Sequence, residues 1–253
     1  MGRNFSPLAE KERAQYNEGL ERDAYNLFFS HCRHFYTQRR NELVKERVQF
    51  AQGKNVLEIG SAAWRNWLEP NTIIPASLTC INISEVELKK GADFAAKSKS
   101  NPRLILMDAH NLEFADGAFD FVFGDGILHH LDIVSALEEI CRVLKPDGRI
   151  LFLEPLDMNP VGKIVRALTK KARTTDEQPI RRQDIVEIKK HFQTHLFYEE
   201  FLSVPFGVLS RMVFADGSNA LMQFAFNADL FIDRNCKWIR NWFRYALIDG
   251  IRH

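Results

Sequence analysis

Asn55-Val56-Leu57-Glu58-Ile59-Gly60-Ser61 decides how the rest of the chain is read. Apolar residues run almost unbroken from Asn55 to Ile59. That pattern fits a short central strand, covered on both faces as strands of parallel sheets are. Gly60 then lets the backbone turn tightly and approach a ligand closely. A nucleotide-like ligand is expected at the carboxyl end of this strand, where open α/β sheets bind theirs.

Downstream, strand and helix patterns alternate. Trp64 to Leu68 has room only for a short helix before Pro70, and Trp64 either covers a ligand or packs. Leu78–Asn82 reads as a second strand. Ser84-Glu85-Val86-Glu87 is a capping-box pattern that opens a helix to about Ser98. Arg103–Met107 reads as the third strand and Phe119–Phe123 as the fourth. Asp132 caps a helix with Val134, Leu137, Ile140, Val143 and Leu144 on its apolar face, Pro146-Asp147-Gly148 makes a turn, and Arg149–Leu156 is the fifth strand. This rhythm requires right-handed crossovers and a doubly wound, mainly parallel sheet.

The flanks are read from periodicity. Leu8 to Gln52 lacks proline and predicts two or three amphipathic helices, a cap that closes over the ligand or packs on the sheet edge. Residues 159–173 are basic and partly amphipathic, and the polar loop 173–179 offers Arg, Asp and Glu for substrate recognition. Ile185–Phe192 predicts a helix and His195–Val204 a sixth strand. The Phe- and Leu-rich stretch Pro205–Ile232 suits short helices over an apolar pocket, a lipid-touching surface or a homodimer interface. Trp242–Ile251 is expected as a seventh strand, antiparallel at the sheet edge. The whole is read as one domain: residues 1–52 a helical cap, 53–157 the binding core, and 158–253 substrate-side insertions with the last strands.

Composition excludes several classes. The 253 residues are 45% apolar and 26% charged, ordinary for a globular domain. A net charge of +1 gives no bulk field toward nucleic acid or an anionic membrane. The four cysteines form no CxxC and are read as reduced thiols of a cytoplasmic protein. Charges throughout residues 1–30 argue against a signal peptide, and no apolar run is long enough to predict a membrane span. His31-Cys32-Arg33-His34 has no partner cluster in sequence, so no metal is expected.

Four segments then stand in register: VLEIGS (56–61), LTCINIS (78–84), LMDAHNLEFADGAFDFVFGDGILHHL (106–131) and ALEEICRVLKPDGRILFLEPL (136–156). Together they resemble the class I S-adenosylmethionine-dependent methyltransferases of Rossmann-like fold. The resemblance implies S-adenosylmethionine as cofactor. It places Glu58 under the methionine end, with Gly60 and Ser61 bringing main-chain donors to the carboxylate. It puts Asn82 and Ile83 at the ribose, where an acid is usual, with Glu85 the nearest replacement. Asp108 is expected at the adenine amino group, Ala109 or His110 at a ring nitrogen, and Gly124 and Asp125 between methionine and substrate. His129 and His130 are the candidate catalytic bases, since an imidazole suits proton removal near neutral pH. The implied reaction is methyl transfer to a small apolar or amphipathic acceptor, lipid-like among the options. The alternatives are a tRNA or protein methyltransferase of the same fold, or a binding module that has lost methyl transfer.

Overall fold

The structure, a computed structural model, describes residues 5–18, 23–60, 62–172, 174 and 177–253. Three helices, α1 (Pro7–Glu18), α2 (Asp23–Phe29) and α3 (Arg33–Val48), precede the first strand, β1 (Asn55–Ile59). The short α4 (Trp64–Trp67) follows, then β2 (Ser77–Asn82), α5 (Glu85–Ala95), β3 (Arg103–Leu106) and β4 (Phe119–Asp125). Next come α6 (Ile133–Val143), β5 (Leu144–Pro155), α7 (Pro160–Leu168), α8 (Arg182–His191) and β6 (Phe192–Glu199). The chain closes with α9 (Ser203–Val213), α10 (Ala220–Asn235) and β7 (Tyr245–Arg252).

The seven strands lie in the order β3-β2-β1-β4-β5-β7-β6. β1 to β5 pair in parallel, and β7 is antiparallel to both neighbours. Side-chain alternation along each strand feeds two cores. Leu57 and Ile59 pack with Leu137 and Ile140 of α6 and Ile188 of α8. Val56 packs on the other face, with Val44 and Val48 of α3 and with Trp64 and Trp67. Trp64 is therefore a core residue, 1% exposed. The expected caps form: Ser84 Oγ accepts the Glu87 N–H at 3.2 Å and Asp132 Oδ1 the Ser135 N–H at 3.0 Å.

Three expectations need correction. β7 is not the sheet edge; it lies between β5 and β6, because Ala246, Leu247 and Ile248 are buried on both faces. β6, with Gln193 and His195 exposed to solvent, takes the edge. β6 also ends at Glu199, and Ser203–Val213 is helical. Buried Asp229 of α10 causes this: it accepts the N–H groups of Phe201, Leu202 and Ser203 at 3.0, 2.6 and 3.1 Å. The helix start is thereby capped from another element. Third, Pro146-Asp147-Gly148 interrupts a continuous strand rather than preceding it. Pairing jumps from Phe119–Leu144 to Phe121–Arg149, with Asp147 left-handed at φ 60°.

The stretch Pro205–Ile232 forms α9 and α10, which keep Leu209, Met212, Phe224 and Phe231 exposed. Among the described residues no helix is long and apolar enough to cross a membrane.

Candidate functional site

β1, β2 and β4 end at one crevice. Gly60 donates its N–H to the Ile81 carbonyl at 2.8 Å and has φ +109°, a conformation that a side chain would strain. Glu58 faces away from the crevice, toward α4. Its Oε1 accepts the Ala63 N–H at 2.5 Å, and Oε2 has no hydrogen-bond partner among the described residues. Burial pushes its pKa up to about 7, against the Cys80 thiol and the loop amides of Ala62 to Trp64, which favour the anion. Glu58 thus tethers the loop after Gly60 from below. Ser61 lies outside the described residues.

Asn82 explains itself by its two-sided chemistry. Its Nδ2 donates to the Gly60 carbonyl at 2.8 Å while Oδ1 accepts the Ser84 N–H at 2.8 Å. A carboxylate could perform only the second task. Glu85 turns away to Arg13, at 3.1 Å, and Glu87 is the acid of α5 that lines the crevice.

Asp108 sits past the end of β3. Oδ1 accepts from the His110 N–H at 3.0 Å and lies 2.6 Å from His110 Nδ1; Oδ2 accepts the Ser6 N–H at 2.8 Å. Burial alone would raise its pKa, but these hydrogen bonds hold it well below the usual carboxylate range.

These elements enclose a first cavity of about 190 Å³. Of the expected cofactor residues, Gly60, Asn82, Ile83, Asp108, Ala109, His110 and Asp125 line it, and Glu58 and Gly124 do not. Gly124 is needed for space: a Cβ there would lie 2.8 Å from the Ile59 carbonyl oxygen. Four carboxylates, Glu12, Glu87, Asp108 and Asp125, stand in the wall with no Lys or Arg among its described residues. Ile59, Ile81, Met107 and Leu131 supply its apolar floor. Glu12 and Tyr16 come from α1, so the cap does roof the crevice. Sequence reading missed both, because nothing in a polar amphipathic helix marks which turn faces a cavity.

A second cavity, of about 290 Å³, adjoins the first through Asp125, Gly126 and His130. Its wall is polar and includes Tyr25, Arg33, His129, Arg166, Glu177 and Tyr245. At the junction the exposed Asp125 side chain lines both cavities, and it makes no hydrogen bond or ion pair among the described residues. Its surroundings push its pKa up to about 6: burial raises it, Arg40 lowers it and Glu154 raises it.

The two histidines are held differently. His129 Nδ1 lies 2.8 Å from Glu154 Oε2, and burial keeps the ring neutral. Glu154 is fully buried and also accepts the N–H groups of Ile127 and Leu128. His130 Nε2 lies 3.0 Å from the Tyr16 hydroxyl, and Nδ1 lies 3.0 Å from Glu12 Oε2. From the polar loop expected at the substrate, whose residues 173, 175 and 176 lie outside the described residues, the Gln178 N–H donates to the His129 carbonyl at 2.9 Å and Glu177 lines the second cavity. His31 Nδ1 meets Ser210 Oγ at 3.0 Å, and the Cys32 thiol donates to the Phe29 carbonyl.

Comparison with known proteins supplies the family. A methyltransferase domain model matches residues 57–152. Demethylmenaquinone methyltransferase of Staphylococcus carnosus is 33% identical over 152 residues, 58% of this chain and 61% of that protein. The enzyme of the same description from Staphylococcus aureus is 30% identical over 172 residues, 66% of this chain and 70% of that one. The chain thus spans about three fifths of the first of these relatives. A crystal structure of geranyl diphosphate C-methyltransferase from Streptomyces coelicolor A3(2), with Mg2+, geranyl diphosphate and S-adenosyl-L-homocysteine, has the same fold. It superposes with a TM-score of 0.64 over 98% of this chain and 99% of that one, at 13% identity. With the strand order, the glycine turn and the crevice at the strand ends, these matches lead to one conclusion: the chain belongs to the class I S-adenosylmethionine-dependent methyltransferases.

Proposed function

We propose that the chain transfers the methyl group of S-adenosylmethionine to a small-molecule acceptor held in the second cavity. One observation carries the reading: a cation-suited cavity at the strand ends opens, at Asp125, into a polar one. The first cavity's residues fit the cofactor. Its acids suit an ammonium, a sulfonium and ribose hydroxyls, and its apolar floor suits adenine.

When bound, the cofactor supplies an electrophilic methyl group on a sulfonium. This chain's residues would do the rest. Asp108 and the main chain at Ala109 and His110 hold the adenine end, Glu87 replaces Asn82 at the ribose, and Glu12 and Tyr16 roof the crevice. Gly60 faces the carboxylate end. Placing the acceptor in line with the methyl is the main contribution to rate. Asp125 accepts the acceptor's proton, since His129 and His130 are each already committed to a buried carboxylate. The polar wall narrows the acceptor to one whose reacting end is polar, hence amphipathic rather than wholly apolar. The relatives named above, described as small-molecule methyltransferases, do not favour a tRNA or protein acceptor.

The test combines calorimetry with S-adenosylmethionine and a methyl-release assay on metabolite extracts. Asp125→Asn is expected to lower kcat by about 100-fold or more while cofactor affinity changes less than tenfold. Unchanged kcat would remove Asp125 from the chemistry; absence of cofactor binding at millimolar concentration would favour the non-catalytic alternative.

A further inference from the structure

α9 turns an apolar row outward. Met212 and Val213 are 79% and 76% exposed, and Leu209, three and four positions before them, shares their side of the helix. The opposite side fixes this orientation. A Cβ at Gly207 would stand 2.9 Å from the Cys32 Cβ, and Ser210 Oγ meets His31 Nδ1 at 3.0 Å. Leu27 and Phe28 of α2 line a groove of about 390 Å³ with Val208, Arg211 and Met212. α7 adjoins: its Val165 shares a small core with Val204 of α9 and Phe29 of α2, while its Leu168 is 71% exposed. An exposed apolar patch of this kind marks an interaction site.

The charge beside the patch has one sign. Arg211 is the only charged residue of α9; it donates to the Ser30 hydroxyl at 3.3 Å and makes no ion pair among the described residues. Residues 160–172 carry Lys163, Arg166, Lys170 and Lys171 and no acid. Lys170 makes no ion pair among the described residues. The nearby acids are engaged or set apart. Asp157 pairs with Lys163 at 3.2 Å and Glu177 with Arg166 at 2.7 Å. Asp216, past α9, accepts the Ser218 N–H at 2.7 Å, and Asp23 stands at the other end of α2 from Phe28. The net charge of +1 averages this local excess away.

These features select the occupant. In a two-fold contact between copies the patch would meet itself, and Arg211 and Lys170 would face like charge. A bilayer takes apolar side chains into its acyl boundary while Lys and Arg reach acidic head groups. We propose that α9, with the adjoining ends of α2 and α7, docks this chain on an anionic membrane surface. The same helices border the second cavity, through Tyr25 and Asn26 on α2 and Arg166 on α7. Docking therefore brings the acceptor cavity to the lipid boundary, where an amphipathic acceptor resides. That consequence rests on the methyl-transfer reading. The docking does not, and it is measured without cofactor or acceptor.

Vesicles of phosphatidylcholine, with and without an equal share of phosphatidylglycerol, are sedimented with the purified chain. Wild type is expected to sediment with the anionic vesicles and to be released by high salt. Each basic residue near such a surface contributes about fivefold. Lys170→Glu combined with Arg211→Glu is therefore expected to bind roughly tenfold more weakly or worse. Met212→Asp combined with Val213→Asp, checked for native circular dichroism, is expected to lose as much. Both variants are expected to keep wild-type affinity for S-adenosylmethionine, since none of these residues lines the first cavity. Wild type that stays in the supernatant, or sediments equally with neutral vesicles, overturns the proposal. So does equal sedimentation of wild type and both variants, or a dimer in light scattering that the Met212→Asp, Val213→Asp variant dissolves.

Discussion

At the scale of single residues, Asn82 shows how a departure from family habit can be structural. Its amide joins the Gly60 carbonyl to the Ser84 N–H, each at 2.8 Å. Asn82→Asp, although it restores the usual acid, would set a carboxylate oxygen against a carbonyl. We expect a stability loss of about 1–3 kcal/mol in urea unfolding and no gain in cofactor affinity on titration. Tighter cofactor binding at unchanged stability would contradict this. Glu58 gives a pH-dependent test. Its pKa is raised from 4.5 to about 7, with burial the largest cause. Below pH 4.5 folded and unfolded chains both hold this proton; between 4.5 and 7 only the folded chain keeps it, so stability falls as pH rises. The difference of about 2.5 units corresponds to roughly 3 kcal/mol. Glu58→Gln should lose less stability than wild type between pH 5 and pH 8 by that order, measured by urea midpoints. Equal losses would mean that Glu58 is already ionised in the fold at pH 5. Sequence placed both at the crevice, where the structure keeps Asn82 but turns Glu58 toward α4, and it did not show their partners. Those are main-chain groups of Gly60, Ala63 and Ser84, which leave no trace in residue identity.

At the scale of elements, legibility followed the local signal. β1 to β4, α5 and α6 carry their own apolar periods and caps, so their places could be read directly. The start of α9 could not, because the N–H groups of Phe201, Leu202 and Ser203 are capped by Asp229, 26 residues or more away in α10. An apolar run with no local cap reads as easily as a strand. The position of β7 was missed for a related reason: an apolar strand near the chain end signals burial but not which neighbours provide it. Asp229 also accepts the Ser203 hydroxyl at 2.7 Å and the Tyr36 hydroxyl at 2.9 Å. Asp229→Ala would orphan these buried donors, each worth about 1–3 kcal/mol. We expect a lower urea midpoint and increased amide exchange at residues 201–206, with cofactor affinity unchanged because the residue lies off the first cavity. Protection at those amides equal to wild type would show that α9 does not need this cap.

At the scale of the whole molecule, cap and sheet are joined by buried charge. Arg40 of α3 donates to Glu199 at the end of β6, at 2.9 Å from Nε. Arg244, just before β7 and 3% exposed, donates to Glu200 and to the Tyr25 hydroxyl of α2. Its guanidinium also lies 3.7 Å from the centre of the Phe29 ring. These contacts tie α2 and α3 to the far half of the sheet, on the side of the second cavity, which Tyr25 and Tyr245 line. We therefore propose that residues 1–52 and 158–253 fold with the core as one cooperative unit. Removing one partner of such a pair leaves a charge buried without compensation, at a cost of about 3–5 kcal/mol. Arg244→Leu is expected to lose about that much while the protein still unfolds in one step. Circular dichroism reports the whole sheet and its helices, and tryptophan fluorescence samples both regions, since Trp64 and Trp67 lie in the core and Trp238 and Trp242 are exposed before β7. The two curves should coincide in guanidinium for wild type and variant alike. Separate midpoints would show that the cap melts independently, and the acceptor cavity would then be assembled by docking rather than by folding.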